Sequence, residues 1–196
     1  MTKIAPRLIK GAWNEGYALD LHTVSSTLIG HDEYGHEKFD TEYTEIGGLL
    51  YRLKSKGEIS PIDAITSAAA DFVQSKKWEL DLVIPVPPSN IRSFQPVIAL
   101  ADQLAKKLGV PSCADCLEKT KKTPGLKNIF NPHERTRLLE GAFSVNRAKS
   151  EGKRVLLFDD LYRSGATMNE VCSALGANGD VKVIYALTVT MTRTRR

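Results

Sequence analysis

The sequence lacks the long apolar run that a membrane-spanning helix requires. No stretch of about 18 or more apolar residues occurs among its 196 residues. The N-terminus also lacks the apolar core of a secretory signal peptide. These absences predict a cytoplasmic protein that has no part inside a membrane.

Cysteine is scarce, and so is any excess of charge. Three cysteines, an odd number, give no disulfide framework. The formal net charge of +4 is compatible with phosphorylated ligands, but it is too small to indicate nucleic-acid binding by itself. The hydrophobic content of 42% is enough for a sizeable core. At this length, the default is one domain with a small appendage.

The most informative stretch runs from Arg154 to Thr167. It opens with an unbroken apolar run, Val155 to Phe158, which is typical of a buried strand. Asp159 and Asp160 follow at the carboxyl edge of this strand, and small residues fill positions 164–167. The helical spacing of the next apolar residues predicts a helix, with its buried face formed by Met168, Val171 and Leu175.

A strand, an acid pair, a small-residue turn and a helix together favour a sugar phosphate as ligand. The turn and the helix N-terminus offer backbone N–H groups to an anion. Carboxylates accept hydrogen bonds from sugar hydroxyls, so the stretch describes a ribose 5-phosphate site. A Walker B strand would need a P-loop, and the sequence contains none. A solvated acid pair at a strand end is the remaining alternative.

This stretch resembles the phosphoribosyl-diphosphate (PRPP) signature of the type I phosphoribosyltransferases. The resemblance implies an α/β fold with a mainly parallel, helix-covered sheet. It also implies that Asp159 and Asp160 hold the ribose hydroxyls as catalytic residues, and that Mg²⁺ accompanies PRPP, held mainly by substrate oxygens. The 5-phosphate would then be held by Arg163, Ser164, Gly165, Ala166 and Thr167. Arg163 departs from the family pattern, in which many members have threonine.

A second stretch, Asp81 to Asn90, also consists of a short apolar strand followed by a loop. A short apolar strand, Leu82 to Ile84, ends in a proline-rich loop. Because ligands bind outside the carboxyl ends of parallel strands, this loop is expected beside Asp159. The residues predicted to bind the diphosphate are Pro87, Pro88, Ser89 and Asn90. The alternative is an ordinary proline-stiffened connection.

Residues 118–141 are polar and basic. A long segment of this kind inside a compact domain is typical of a functional loop, and a basic loop beside a diphosphate suits a lid. A solvated charge run explains the composition equally well. The lid candidates are Lys119, Lys121, Lys122, Arg135 and Arg137.

Over residues 80–190 the sequence resembles more narrowly the ComF-type phosphoribosyltransferase-like proteins, which are linked to competence. The motifs that carry this resemblance are Pro85 to Pro88, Lys122 to Pro124, Arg135 to Arg137, Gly141 to Phe143 and Asp159 to Tyr162. Many such proteins have an N-terminal zinc module, but residues 1–80 contain no cysteine. We therefore expect an N-terminal appendage over residues 1–80, packed as a hood on a core formed by residues 81–196.

The resemblance implies transfer of phosphoribosyl from PRPP to an unidentified acceptor, with release of diphosphate. A PRPP sensor without turnover, or a competence or DNA-processing factor, is the alternative. Nucleic-acid binding has no support of its own in the sequence. The sequence is compatible with a homodimer. Cys113 and Cys116 form a Cys-x-x-Cys pair that suits either half of a zinc site or a redox pair.

The remaining patterns predict ordinary elements. Residues 17–21 and 24–29 indicate short strands or a hairpin, and the loop His31 to His36 is interpreted as a solvated turn rather than a metal site. A helix around Leu50 would be capped by Asp40 or Thr41 and end at Gly57. Further elements are a helix capped by Ser60 with Pro61 first, a helix ending at Gly109, and strands at Phe143–Val145 and Val181–Val189.

Overall fold

The structure is a computed structural model that describes residues 2–88, 93–121 and 137–193. Its strands are β1 Arg7–Leu8, β2 Glu15–Leu21, β3 Thr23–His31, β4 Glu37–Tyr43, β5 Leu82–Pro85, β6 Leu117–Lys119, β7 Phe143–Val145, β8 Arg154–Tyr162 and β9 Val183–Met191. Its helices are α1 Glu45–Ser55, α2 Pro61–Ser75, α3 Pro96–Leu108, α4 Arg147–Ser150 and α5 Ala166–Asn178, and a 3₁₀ turn spans Ala114–Cys116.

A five-stranded sheet in the order β1-β2-β9-β8-β5 forms the centre of the molecule. The pairs β2–β9, β9–β8 and β8–β5 are parallel, and only β1 runs antiparallel to its neighbour. The predicted α/β class with a mainly parallel sheet is therefore confirmed. Parallel strands place all their carboxyl ends at one edge, where ligands of α/β proteins bind.

Helices cover both faces of the sheet, which explains the unbroken apolar run in β8. Leu156 and Phe158 point into one core with α1, α2 and α3, whereas Val155 and Leu157 point into a second core with α5 and the β6–β7 hairpin. All four side chains are fully buried. The predicted α5 face is also buried, at Met168, Val171 and Leu175.

The N-terminal part of the chain enters the central sheet. Strands β1 and β2 form one side of it, and α1 and α2 pack on one face in the same core as Phe158. The division expected at residue 80 therefore runs through one continuous sheet. Residues 1–80 thus include sheet strands, in addition to elements that lie over the sheet.

The short strands predicted within residues 17–29 belong to β2 and β3, but they do not form a hairpin with each other, because β2 pairs with β1 and β9. Strands β3 and β4 form a hairpin instead, a two-stranded antiparallel sheet separate from the central one. The Asp32 carboxylate closes its turn by accepting the N–H groups of Tyr34 and His36 at 2.9 and 2.8 Å. Such Asx-type bonding is typical of a solvated turn, as the sequence indicated.

The caps of two helices differ from the prediction. Thr44 caps α1, because its Oγ1 accepts the Gly47 N–H at 3.1 Å and donates to the Leu21 carbonyl at 2.6 Å. Asp40 and Thr41, the predicted caps, lie in β4 instead, because pairing with β3 continues to Tyr43. Ser60 precedes α2 as expected, but its side chain makes no capping hydrogen bond.

Three further predictions are confirmed, two of them with small changes. Gly109 ends α3 in the left-handed conformation, with φ of 71°. The strand Phe143–Val145 exists, but it pairs with β6 in a hairpin outside the central sheet. The last strand begins and ends two residues later than predicted, at Val183 and Met191.

Among the described residues, no helix has the length and apolar character needed to cross a membrane.

Cys113 and Cys116 form a disulfide, whereas Cys172 is free and buried. The expectation of no disulfide framework is wrong for this pair, because the 3₁₀ turn brings the two Cα atoms to 5.4 Å. In this bonded form the two sulfurs are not thiolate ligands for zinc, so the structure does not contain the half zinc site that the motif suggested.

Candidate functional site

The two informative stretches meet at the carboxyl edge of the sheet. In the β5–β8 pairing, Pro85 lies opposite Phe158, and the Val86 N–H donates to the Phe158 carbonyl at 2.8 Å. The proline loop therefore begins beside Asp159. Pro87 and Pro88 are half-buried there. Ser89 and Asn90, the other two predicted diphosphate ligands, lie outside the described residues.

Strand β8 continues past the acid pair, because β9 keeps pairing with it as far as Tyr162 and Met191. Asp159 and Asp160 thus lie inside the last part of a strand, rather than just after it as predicted. Extended backbone points consecutive side chains to opposite faces of a sheet. The two carboxylates therefore have different surroundings.

The acid pair is largely enclosed. Asp159 Oδ1 accepts the Asp160 N–H at 2.8 Å. Asp160 Oδ2 lies 2.7 Å from Lys54 Nζ, and the Asp160 side chain is only 15% exposed. Burial and then the negative charge of Asp160 raise the pKa of Asp159 above its ordinary value. Sequence reasoning missed Lys54, which lies on α1.

His22, between β2 and β3, lies beside this pair. Its Nδ1 is 3.1 Å from Thr190 Oγ1, and the same hydroxyl lies 3.5 Å from the Asp160 carbonyl oxygen. Burial, and then the charge of Lys54, lower the pKa of His22. A neutral imidazole is therefore favoured here. No sequence pattern singled out His22, because nothing near it in the chain marks a site.

Gly47 allows α1 to lie close to His22. A Cβ at position 47 would be only 2.0 Å from the His22 carbonyl oxygen. Any other residue would push the start of α1 away from the sheet edge. A glycine in the first turn of a helix is a weak signal for such a contact, and only the structure gives it meaning.

The predicted phosphate turn lies directly after β8. Arg163 and Ser164 are exposed, and Gly165 precedes α5 with φ of +75°. Ala166 and Thr167 are the first residues of the helix, not part of the turn. The first N–H groups of a helix have no intrahelical acceptor, so those of this helix face the same edge as the acid pair.

Residues near the N-terminus support this turn from outside. Asn169 Nδ2 donates to the Gly165 carbonyl at 3.0 Å, and Asn169 Oδ1 accepts the Ala12 N–H at 2.8 Å. The Trp13 ring packs edge-on against Tyr162, with centroids 6.3 Å apart. The Tyr162 hydroxyl donates to the Lys10 carbonyl at 3.3 Å. The sequence gave no signal for these contacts.

The basic segment is described only at its two ends. Lys119 belongs to β6, so it lies in a strand instead of the predicted loop, and burial lowers its pKa. Lys121 donates to the Glu140 carbonyl at 2.7 Å, and Arg137 is exposed. Lys122 and Arg135 lie outside the described residues.

One contact links this segment to the phosphate turn. Glu170, in the first part of α5, accepts the Gly141 N–H at 2.7 Å. The end of the basic segment thus lies against the helix that carries the turn. This contact is compatible with a lid, which remains a prediction.

The protein is an α/β protein with a candidate ligand site at the carboxyl edge of a parallel sheet. An acid pair, a glycine turn and a helix N-terminus lie at that edge. The family of the phosphoribosyl transferase domain matches residues 59–195. The chain therefore belongs to this family, as the resemblance of its sequence indicated. Residues 1–58, which include Lys54 and His22, lie outside the matched segment.

A curated relative supports the narrower resemblance. The chain is 29% identical to Competence protein F of Haemophilus influenzae over 101 residues. The match covers 48% of this chain and 44% of that protein, so the chain spans less than half the length of this relative.

Solved phosphoribosyltransferase structures share the fold. Glutamine phosphoribosylpyrophosphate amidotransferase of B. subtilis matches with a TM-score of 0.51 at 18% identity, over 81% of this chain and 34% of that one. Adenine phosphoribosyltransferase of Saccharomyces cerevisiae has a TM-score of 0.51 at 12% identity, over 86% and 84%. The Trypanosoma brucei enzyme has 0.50 at 14%, over 94% and 73%.

Proposed function

We propose that the protein binds PRPP and transfers its phosphoribosyl group to an acceptor that remains to be identified, with release of diphosphate. One observation carries the proposal: the acid pair, the glycine turn and the proline loop lie at the same edge of a parallel sheet. A ribose 5-phosphate that carries a diphosphate needs these three kinds of contact. Membership of the phosphoribosyl transferase domain family supports the same reaction class.

In this proposal each part of the site has one task. Asp159 and Asp160 accept hydrogen bonds from the ribose hydroxyls. Residues 163–167 hold the 5-phosphate through backbone N–H groups and the positive end of the α5 dipole. Residues 87–90 hold the diphosphate. Catalysis then comes mainly from positioning and electrostatic stabilisation of the leaving group.

Magnesium fits this site as a companion of the substrate. Among the described residues, no group of three or more His, Cys, Asp or Glu side chains forms a metal cage. Mg²⁺ prefers oxygen ligands and keeps several waters, so diphosphate and ribose oxygens would hold most of it. When bound, it would neutralise charge on the diphosphate as that group leaves.

A ligand-binding test comes first. One fold neighbour, the T. brucei adenine phosphoribosyltransferase, was solved with AMP, pyrophosphate and ribose-5-phosphate. PRPP with Mg²⁺, and ribose 5-phosphate alone, are therefore the ligands to titrate by calorimetry. We expect saturable binding and a rise in Tm, because a ligand that binds only the folded state stabilises it. If neither ligand binds, the site assignment is wrong.

The acid pair is the target for mutation. Asp159→Asn and Asp160→Asn should each weaken PRPP binding by roughly 10- to 100-fold, since hydrogen bonds to a charged group contribute about 1.5–3 kcal/mol. The matched control is Asp102→Asn, at an exposed position on α3. The control should bind PRPP as the wild type does. Equal binding by all three variants would contradict the role of the pair.

The similarity to Competence protein F favours a second candidate, a PRPP-binding factor in DNA processing that has no turnover. The two candidates differ in acceptor-dependent diphosphate release. We expect release with at least one member of a panel of nucleobases, amines and ammonia. Tight PRPP binding without release, on this panel and on cell extract, would favour the second candidate.

A further inference from the structure

Lys54 contacts the acid pair from an element that the family match does not include. It follows Leu50 by four residues in α1, so both side chains project from the same side of the helix. Leu50 is fully buried in the core beneath the sheet, and this directs Lys54 towards the sheet edge. There its Nζ lies 2.7 Å from Asp160 Oδ2.

We propose that Lys54 is a positioning residue of the PRPP site, which holds the Asp160 carboxylate in place for the ribose hydroxyls and offsets the negative charge of the acid pair. The inference rests on the proposed function of this site. It assigns a role in ligand binding to a residue outside positions 59–195.

The geometry leaves one oxygen of Asp160 for a ligand. Lys54 contacts Oδ2. Within the described parts of the chain, Oδ1 of Asp160 has no hydrogen bond or ion pair. A carboxylate offers about four lone pairs, so an anchored Oδ2 and an available Oδ1 can act together. Lys54 thus fixes the direction in which Asp160 accepts a hydroxyl.

The charges around the pair explain why a cation is needed. Asp159 and Asp160 are consecutive, and Asp159 is partly buried, so two negative charges at this place oppose each other. PRPP adds further negative charge. Among the described residues, His22 is the other titratable group facing the pair, and Thr190 of β9 contributes only a hydroxyl. Lys54 therefore supplies the compensating positive charge.

An exposed ion pair would have no such consequence. Surface pairs contribute little to stability, because solvent and salt screen them and the side chains are not held in one geometry. Here the Lys54 and Asp160 side chains are 33% and 15% exposed, and α1 is anchored by Leu50 and Leu53, which lie in the core. A pair held in this way fixes the position of its carboxylate.

The test measures PRPP–Mg²⁺ affinity by calorimetry from about pH 5.5 to 9 in wild type, Lys54→Met and Lys54→Arg. Burial and the charge of Asp160 raise the pKa of Asp159, whereas the charge of Lys54 lowers it. In Lys54→Met, the pH below which affinity falls should therefore rise, by about one unit. Affinity near pH 6.5 should drop roughly tenfold. Lys54→Arg should retain most of the wild-type affinity and its pH profile.

Lys56→Met is the matched control. Lys56 caps the same helix and lies 5.8 Å from the Tyr51 ring centroid, so the substitution removes the same charge away from Asp160. It should leave both affinity and pH profile unchanged. His22→Gln, made in both the wild-type and Lys54→Met backgrounds, separates histidine titration from that of the acids. The rise in the pH below which PRPP affinity falls should persist when Lys54→Met is combined with His22→Gln.

Two results would overturn the inference: wild-type affinity in Lys54→Met, or a loss that is equal at every pH and is not rescued by arginine. If the wild type itself does not bind PRPP, the proposed function fails first. Whether the charge of Lys54 acts on the acid pair is then decided without ligand, by carbon NMR titration of the Asp159 carboxyl, whose pKa that charge lowers. An unchanged pKa in Lys54→Met would exclude it.

Discussion

At the scale of single residues, the two ends of β8 have different tasks. At its start, Arg154 pairs with Asp81 through two hydrogen bonds from its guanidinium, at 2.9 and 2.7 Å, and through its N–H at 2.8 Å. At its end lie Asp159 and Asp160. In a parallel sheet these are opposite edges, so stability and ligand binding should respond to different substitutions.

The Asp81 pair predicts a pH-dependent stability. The hydrogen bonds from Arg154 lower the pKa of Asp81 below its ordinary value of 3.8. A lowered carboxyl pKa stabilises the fold above the unfolded value, and this stabilisation is lost as the pH falls. Asp81→Asn should therefore lower Tm at pH 7, with a difference that shrinks below about pH 4. Thermal unfolding at several pH values measures this.

PRPP affinity should remain unchanged in Asp81→Asn, because the pair lies at the edge opposite the site. Glu79→Gln, which removes the more exposed partner of Arg154, serves as the comparison and should lower Tm less. A Tm difference that stays constant down to pH 2 would contradict the assigned cause.

Gly165 yields a second prediction at this scale. Its φ is +75°, and a Cβ there would lie 2.5 Å from the Tyr162 hydroxyl. Gly165→Ala should lose roughly 1–2 kcal/mol of folding free energy from the left-handed backbone alone. It should also weaken ribose 5-phosphate binding, because Tyr162 must move. Calorimetry and denaturant unfolding measure the two effects.

Gly152→Ala is the control, since Gly152 has φ of +69° and open space around its Cα. Its loss of stability should come from the backbone alone, with full ligand affinity. Equal affinities for Gly165→Ala and Gly152→Ala would show that the space at Gly165 is irrelevant to the turn.

At the scale of elements, α1 connects the exposed hairpin to the site. It begins at Thr44, directly after β4, and carries Lys54 near its other end. Its N-cap is bonded at both sides, to Gly47 within the helix and to the Leu21 carbonyl. The position of this helix relative to the sheet therefore depends on the hydroxyl of Thr44.

Thr44→Ala should destabilise the protein by about 1 kcal/mol, with a range of roughly 0.5–2, as for other lost N-caps. Ser60→Ala should cost much less, because the Ser60 side chain makes no capping bond. Urea unfolding of both variants gives the comparison. Equal losses would mean that the Thr44 contacts do not determine the helix start.

At the scale of the whole molecule, the sheet connects distant parts of the chain. β2 lies next to β9, and α1 covers Leu187 and Val189 from the same core. By contrast, the hairpin β3–β4 exposes large apolar side chains and makes no pairing with the central sheet. Its removal should cost little, whereas removal of β2 would expose the edge of β9.

Two shortened chains test this difference. A chain of residues 59–196, the family-matched part, should aggregate or stay unfolded, because β9 loses its partner. A chain in which Ser26 is joined to Thr41 through Asn-Gly should fold, since these residues pair directly and a two-residue turn suits them. Circular dichroism and size-exclusion chromatography report both outcomes. A folded, monomeric 59–196 chain would contradict the prediction.

Local features were readable from the sequence wherever their cause lies within a few residues. The run Val155 to Phe158 predicted a strand because only a doubly buried strand needs four consecutive apolar residues. The acids and small residues after it predicted the site, since turn, helix N-terminus and carboxylates follow each other directly. The same locality explains the success at Gly109 and the parallel α/β class.

Tertiary structure decided what depends on contacts between distant positions. Ala12 and Asn169 are separated by 157 residues, and His22 and Thr190 by 168. Lys54 looks like any surface lysine until α1 lies on the sheet, and the Thr44 cap depended on where β4 stops pairing. Sequence periodicity records which face of an element is buried, but not which partner buries it. Only the order β1-β2-β9-β8-β5 brings the N-terminal residues to the acid pair.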